Sequence, residues 1–134
     1  KSKVFPQVIK TEAKDMYMYL HLEGGDRMTI FMVDTYVIKP EKEAEFTAFL
    51  KKWFAYKEKH PQLFKEVKSY KIFAHLLGGN RGGYVEMFEF DNFVDAEKWM
   101  NRWMQSDFMT TLHPEFMALV APATDSISIW NPVK

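Results

Sequence analysis

The sequence predicts a single α+β domain in the order strand, helix, strand, strand, helix, strand, and three observations carry that prediction. The length of 134 residues is that of about one domain. Hydrophobic residues make up 47% and aromatic residues 16% against 27% charged, which is ample apolar surface for a packed core. Short runs rich in β-branched and aromatic residues alternate with two longer segments whose apolar residues recur at helical spacing.

The first element of the domain is the run Thr29 to Ile38, stopped by Lys39-Pro40 and read as a largely buried strand. Alternation places Ile30, Met32, Asp34, Tyr36 and Ile38 on one face and Phe31, Val33, Thr35 and Val37 on the other. Asp34 is the odd member of its face. Upstream, residues 1–28 are expected to form an N-terminal arm with an extra strand from Met16 to Glu23, and Gly24-Gly25-Asp26 supplies a hairpin loop. The main domain is then residues 29–134.

Pro40 suits a helix start, and Phe46, Phe49, Leu50, Trp53 and Phe54 recur on one helical face. Glutamates lead and lysines trail on the other face, as the helix dipole favours. His60-Pro61 ends this helix. A second strand fits Val67 to Leu77 and a third Tyr84 to Phe90, joined by the glycine-rich loop from Gly78 to Gly83. The loop leads into a strand and contains no Gly-Lys-Ser/Thr, so it reads as a hairpin rather than a phosphate cradle. Asn92, three residues before Asp95, opens a second amphipathic helix bearing Ala96, Trp99, Met100, Trp103 and Met104 on one face. Ser106-Asp107 and His113-Pro114 punctuate the chain beyond this helix, and Ser126 to Trp130 reads as the last strand. This is the split βαβ order of a ferredoxin-like βαββαβ fold. Strands that are apolar on both faces leave one sheet face without a helical cover, and a sheet-to-sheet homodimer is the expected partner.

Composition narrows the function. Eighteen basic residues balance eighteen acidic ones for a formal charge of +0, so no nucleic-acid partner and no anionic membrane surface are expected. The absence of cysteine excludes disulfide scaffolds, thiolate metal sites and cysteine nucleophiles. No run approaches the roughly 18 apolar residues of a membrane span, and Lys1-Ser2-Lys3 leads into no hydrophobic signal region, so a cytoplasmic location is the default expectation.

The most informative segment runs from Trp103 through Ser106 and Phe108 to His113. It resembles the second helix of the haem-degrading monooxygenases of the iron-regulated surface determinant type. These are dimeric α/β-barrel proteins within the antibiotic-biosynthesis monooxygenase superfamily. The resemblance implies haem as cofactor and substrate, with His113 as the iron ligand, Trp103 pressed against the porphyrin, and Asp34 where the family has an asparagine facing the iron-bound ligand. Asp34 and Pro114 are departures, because an ionised carboxylate only accepts hydrogen bonds whereas an amide also donates them. On one unbroken helix ten residues rotate about 1000° and rise about 15 Å, so Trp103 and His113 meet one ligand only if the helix breaks near Ser106. A pocket between the helices and the sheet is expected, lined by Trp99, Trp103, Phe108 and Met32, with Asp34 and His113 as its polar groups.

Other readings stay open on the same residues. Trp103 also fits a core aromatic beside Trp99, His113 a cap of the next helical turn, and Asp34 a structural partner of Lys71 or His75. The superfamily also implies cofactor-independent oxidation or cyclisation of an aromatic small molecule, with Asp34 or His113 as base. A dimeric module that binds a ligand without catalysis is the third reading.

Overall fold

The computed structural model describes residues 28–133. The N-terminal strand and hairpin expected before Met28 lie outside the described residues. The chain forms β1 (Ile30–Val37), a 3-10 turn (Pro40–Lys42), α1 (Glu43–Lys59), a second 3-10 turn (Pro61–Phe64), β2 (Ser69–Ala74) and β3 (Gly83–Phe90). It continues through α2 (Phe93–Met104), a third 3-10 turn (Asp107–Met109), α3 (Leu112–Leu119) and β4 (Ser126–Trp130). The four strands make one antiparallel sheet in the order β2-β3-β1-β4, the arrangement of a ferredoxin-like α+β fold.

Strand alternation decides which side chains reach the helices. Ile30, Met32 and Tyr36 of β1, with Phe88 and Phe90 of β3, enter the core cluster together with Phe46, Phe49, Trp53 and Tyr56 of α1 and Phe93, Ala96, Trp99 and Met100 of α2. The apolar face of α1 is rotated from the expected one: Phe54 is 41% exposed while Tyr56 is buried. The spacing 46, 49, 53, 56 continues the buried stripe through Tyr56 and turns Phe54 outward. On the opposite sheet face Val33 is fully buried, whereas Phe73 and Trp130 are about half exposed.

Local chemistry explains the ends. The Asn92 side chain accepts a hydrogen bond from the Asp95 backbone N–H at 2.8 Å, which satisfies one orphan donor of α2. The His60 N–H donates to the Tyr56 and Lys57 carbonyls before Pro61 opens the next turn. The expected second strand shortens to Ser69–Ala74, because the chain beyond it turns through Gly78 and Gly82, both at positive φ. At Gly82 a Cβ would stand 2.9 Å from the Ile38 carbonyl oxygen, so only glycine allows the approach that lets the Ile38 N–H donate to the Gly82 carbonyl. His113 does not cap the next helical turn, because α3 starts at Leu112 after Thr111 and takes His113 into its first turn. Pro114 lies in that same turn, where a proline's missing N–H costs nothing.

Phe90 is fully buried and packs on Trp99 at a ring separation of 5.6 Å. Replacing it with alanine is expected to destabilise the fold by about 3–5 kcal/mol in urea unfolding. Removing the exposed Lys52–Glu115 ion pair of 2.9 Å by Lys52→Ala should cost under about 1 kcal/mol in the same assay.

Candidate functional site

Between the helices and the sheet lies a cavity of about 320 Å³, within the size range of small-ligand sites. Every residue expected at the pocket lines it: Met32 and Asp34 from β1, Trp99 and Trp103 from α2, Phe108 from the third 3-10 turn and His113 from α3. They converge because the helix breaks after Met104. The Ser106 hydroxyl donates to the Trp103 carbonyl at 2.6 Å rather than capping the new turn, and the Asp107–Met109 turn carries Phe108 to 4.2 Å from the Trp103 ring and within 6.4 Å of His113.

Sequence reasoning missed the acidic and tyrosyl half of the cavity, formed by Glu86, Asp125 and Tyr36 with Tyr70 behind them. Glu86 pairs directly with Asp34 across β1 and β3 and is buried. The signal for it was present in the alternation of β3, which sets Glu86 on the same face as Tyr84, Phe88 and Phe90. Asp125 had no such signal. It is delivered by a turn in which the Thr124 hydroxyl donates to the Ala121 carbonyl at 2.7 Å and accepts from the Val37 N–H at 3.1 Å, with Ala123 at a φ of 61°.

Neither structural partner expected for Asp34 is near it. Lys71 belongs to the register position opposite Met87 on the other sheet face, and the His75 ring turns to the Asn80 carbonyl. Asp34 therefore sits among acids. Its Oδ1 is buried without a hydrogen-bond partner, and burial, then neighbouring Asp125, then Glu86, push its carboxyl up to about 10. Burial also raises Glu86, against the lowering influence of the Tyr70 and Tyr36 hydroxyls and of Lys57. His113 is lowered by burial, with Asp125 opposing the shift. At neutral pH these shifts favour the carboxylic acid at Asp34 and the uncharged imidazole at His113.

This lining does not fit a haem. Among the described residues no Arg or Lys lines the cavity, so on this wall two propionates would face carboxyl groups instead of cations. Trp103 is also engaged, stacked at 14° on Trp99 with ring centroids 5.6 Å apart, tilted on Phe108 and met edge-on by Trp53. Among the described residues no group of three or more His, Asp or Glu is placed to hold a metal ion.

No family model and no curated protein matches the chain. Solved structures do. A putative antibiotic biosynthesis monooxygenase from Caulobacter crescentus CB15 superposes with a TM-score of 0.61 at 17% identity, covering 85% of this chain and 98% of that one. A NIPSNAP family protein from Agrobacterium tumefaciens str. C58 gives 0.63 at 16% identity, over 81% and 89%. A conserved protein from Methanosarcina mazei Go1 gives 0.59 at 18%, over 81% and 96%. The chain shares the ferredoxin-like α+β fold of these proteins. At these identities the likeness is one of architecture, and the chemistry has to be read from the cavity itself. Among the described residues no helix is long and apolar enough to cross a membrane.

The acid at Asp34 makes stability depend on pH with a definite sign. Its proton is held more tightly in the folded protein, at about 10, than at the ordinary value of 3.8, so its contribution is fully present below about pH 4 and is lost as pH rises toward 10. Denaturation free energy should fall through that window with a slope of up to about 1.4 kcal/mol per pH unit from this group. Asp34→Asn should remove that part of the slope and be more stable than the parent at pH 8, measured by urea unfolding across pH.

Proposed function

We propose that the protein is a monooxygenase-like enzyme that acts on a phenolic or enolisable aromatic small molecule by acid–base chemistry, without haem. The observation that carries this reading is the placement of Asp34 and His113 on the wall of one apolar cavity, where burial favours the proton on the carboxyl and the uncharged form of the imidazole. The indole and phenyl faces of Trp53, Trp103 and Phe108 supply the stacking surface for an aromatic body. His113 accepts a proton from the phenol or from a carbon next to a carbonyl. Asp34 donates a hydrogen bond to the oxygen on which negative charge develops. The resulting electron-rich anion is the form that reacts with dioxygen. A substrate CH₂ becomes C=O with one oxygen atom, and the other leaves as water with the two hydrogens. The names of two solved structures of this fold, antibiotic biosynthesis monooxygenases, agree with that reaction class. The haem-degrading reading is set aside, because the acidic wall and the engaged Trp103 disfavour a porphyrin. Asp34 as a base is disfavoured too, since its buried, acid-flanked site favours the protonated form.

A second copy of the chain is the partner we propose. The sheet face away from the helices carries the half-buried Phe31, Val37, Val85 and Met87 around the fully buried Val33, flanked by the half-exposed Phe73 and Trp130, and a second copy would cover the exposed aromatics at its edges. Light scattering at micromolar concentration should give a dimer, and Phe73→Asp should weaken it. A monomeric parent would remove the proposal.

Binding can be followed by quenching of tryptophan fluorescence with a panel of hydroxylated polycyclic aromatics, and turnover by oxygen uptake. For a compound that is consumed, His113→Ala should lower kcat by about 10²–10⁴ with little change in affinity. Asp34→Leu should lower it by about 10²–10³, and Asp34→Asn, which keeps a donor, should retain activity. The rate should plateau from below the ordinary histidine value of 6.5 up to about 10. Haemin should produce no saturable Soret shift that His113→Ala abolishes. Saturable binding without oxygen uptake would identify a ligand-binding module instead.

A further inference from the structure

Two carboxyl groups directly opposite one another across β1 and β3, Asp34 and Glu86, cannot share a buried site with both ionised, so one must hold the proton. The structure distinguishes them by their donors. Glu86 accepts from the Tyr70 hydroxyl through Oε1, and the Tyr70 oxygen in turn accepts from the Trp53 indole N–H at 2.9 Å. The Lys57 ammonium stands 3.5 Å above the Tyr70 ring, so α1 brings a positive charge to the same end of the chain. The Tyr36 hydroxyl, next on β1, bears on the same carboxyl. Asp34 receives no such donor: its Oδ1 is buried and unpartnered, and its one side-chain hydrogen bond, to the Asp125 carboxyl, favours the protonated form of Asp34.

We propose that Glu86 is a positioning residue, held as the ionised member of the pair by the Trp53–Tyr70 donor chain and Lys57, and that together with Asp125 it keeps the proton on Asp34, facing the ligand. The inference rests on the reading of Asp34 as the hydrogen-bonding acid and explains how the fold keeps it one. The other groups that face the pair are accounted for. Asp125, from the turn before β4, hydrogen-bonds the Asp34 carboxyl, adds a like charge to both acids and an attractive one to His113. From α2 and the third 3-10 turn the cavity receives only uncharged side chains: Trp99, Met100, Trp103, Met104, Phe108 and Met109. Hydrogen bonds to an ionised carboxylate are the strong kind, and two hydroxyls with a cation behind them favour the charge on Glu86.

The test needs no substrate, so it is independent of the proposed reaction. Side-chain carboxyl carbons labelled with carbon-13 are followed by NMR across pH in the ligand-free protein. In the parent, Glu86 should titrate below Asp34, and Asp34 should stay protonated at pH 7. In Tyr70→Phe the midpoints should move in opposite directions, Glu86 upward and Asp34 downward, as the proton is redistributed. In Glu86→Gln the Asp34 midpoint should drop by about one pH unit or more. Trp53→Phe, a milder change that removes only the outer donor, should give the same opposed shifts at smaller size and serves if Tyr70→Phe does not fold. An ionised Asp34 with a protonated Glu86 in the parent would overturn the proposal, as would an Asp34 midpoint unmoved by Glu86→Gln. If substrate turnover is absent while the opposed shifts are seen, the reaction is wrong and the charge placement stands.

Discussion

Antiparallel pairing of β1 with β3 sets Asp34 against Glu86 on the helix-facing side of the sheet, and the arrangement of the surrounding side chains answers that juxtaposition. Like charges directly opposite on neighbouring strands are unfavourable, and burial makes them more so. The register cannot slip to relieve them, because a shift of one residue would turn Ile30, Met32, Tyr36, Phe88 and Phe90 out of the core. The acids are therefore carried by the apolar packing of their own strands. Tyr36, Tyr70, Trp53 and Lys57 cluster around them as the groups that make the burial tolerable.

The aromatic wall is the counterpart of the acidic one. Trp53 meets Phe64, Tyr70, Trp103 and Phe108 edge-on, with ring centroids 5.3–6.0 Å apart, the geometry that aromatic quadrupoles prefer. The wall is tied at its edges. Arg102 grips Glu66 through two hydrogen bonds of 2.6 and 2.7 Å, holding the end of α2 to the segment after α1, and Tyr56 donates to Asp107 at 2.5 Å, fixing the turn that carries Phe108. One side of the cavity is rigid aromatic surface and the other is a small set of titrating groups, and this division lets orientation and proton transfer be supplied by different elements.

The order of elements was legible from periodicity, because each strand and helix is long enough for its period to show. β1 was expected over Thr29–Ile38 and spans Ile30–Val37, and β4 lies where it was read. The pocket-lining Trp99 and Trp103 were visible for the same reason, as part of the apolar stripe of α2, while Phe108 entered only through the resemblance of the Trp103 to His113 segment. Glu86 and Asp125 were not read, since what makes them part of a site is pairing across strands and a return turn far along the chain. Periodicity within one segment carries no information about which residue of another segment lies opposite. The resemblance to haem degraders drew attention to His113 and Trp103 rightly as neighbours of one cavity, while the environment of Asp34, which decides its chemistry, exists only once three distant segments meet.

Four of the cavity's lining residues are methionines: Met32 on β1, Met100 and Met104 on α2, and Met109 on the turn after it. Their unbranched side chains refit around guests of different outline, so the enclosure accommodates variety where the tryptophans do not, and ligand preference can drift by substitution here without disturbing either acid. The same thioethers are soft targets for oxidation to sulfoxide. A protein that handled activated oxygen in this chamber would wear from the inside, its pliant walls turning polar first.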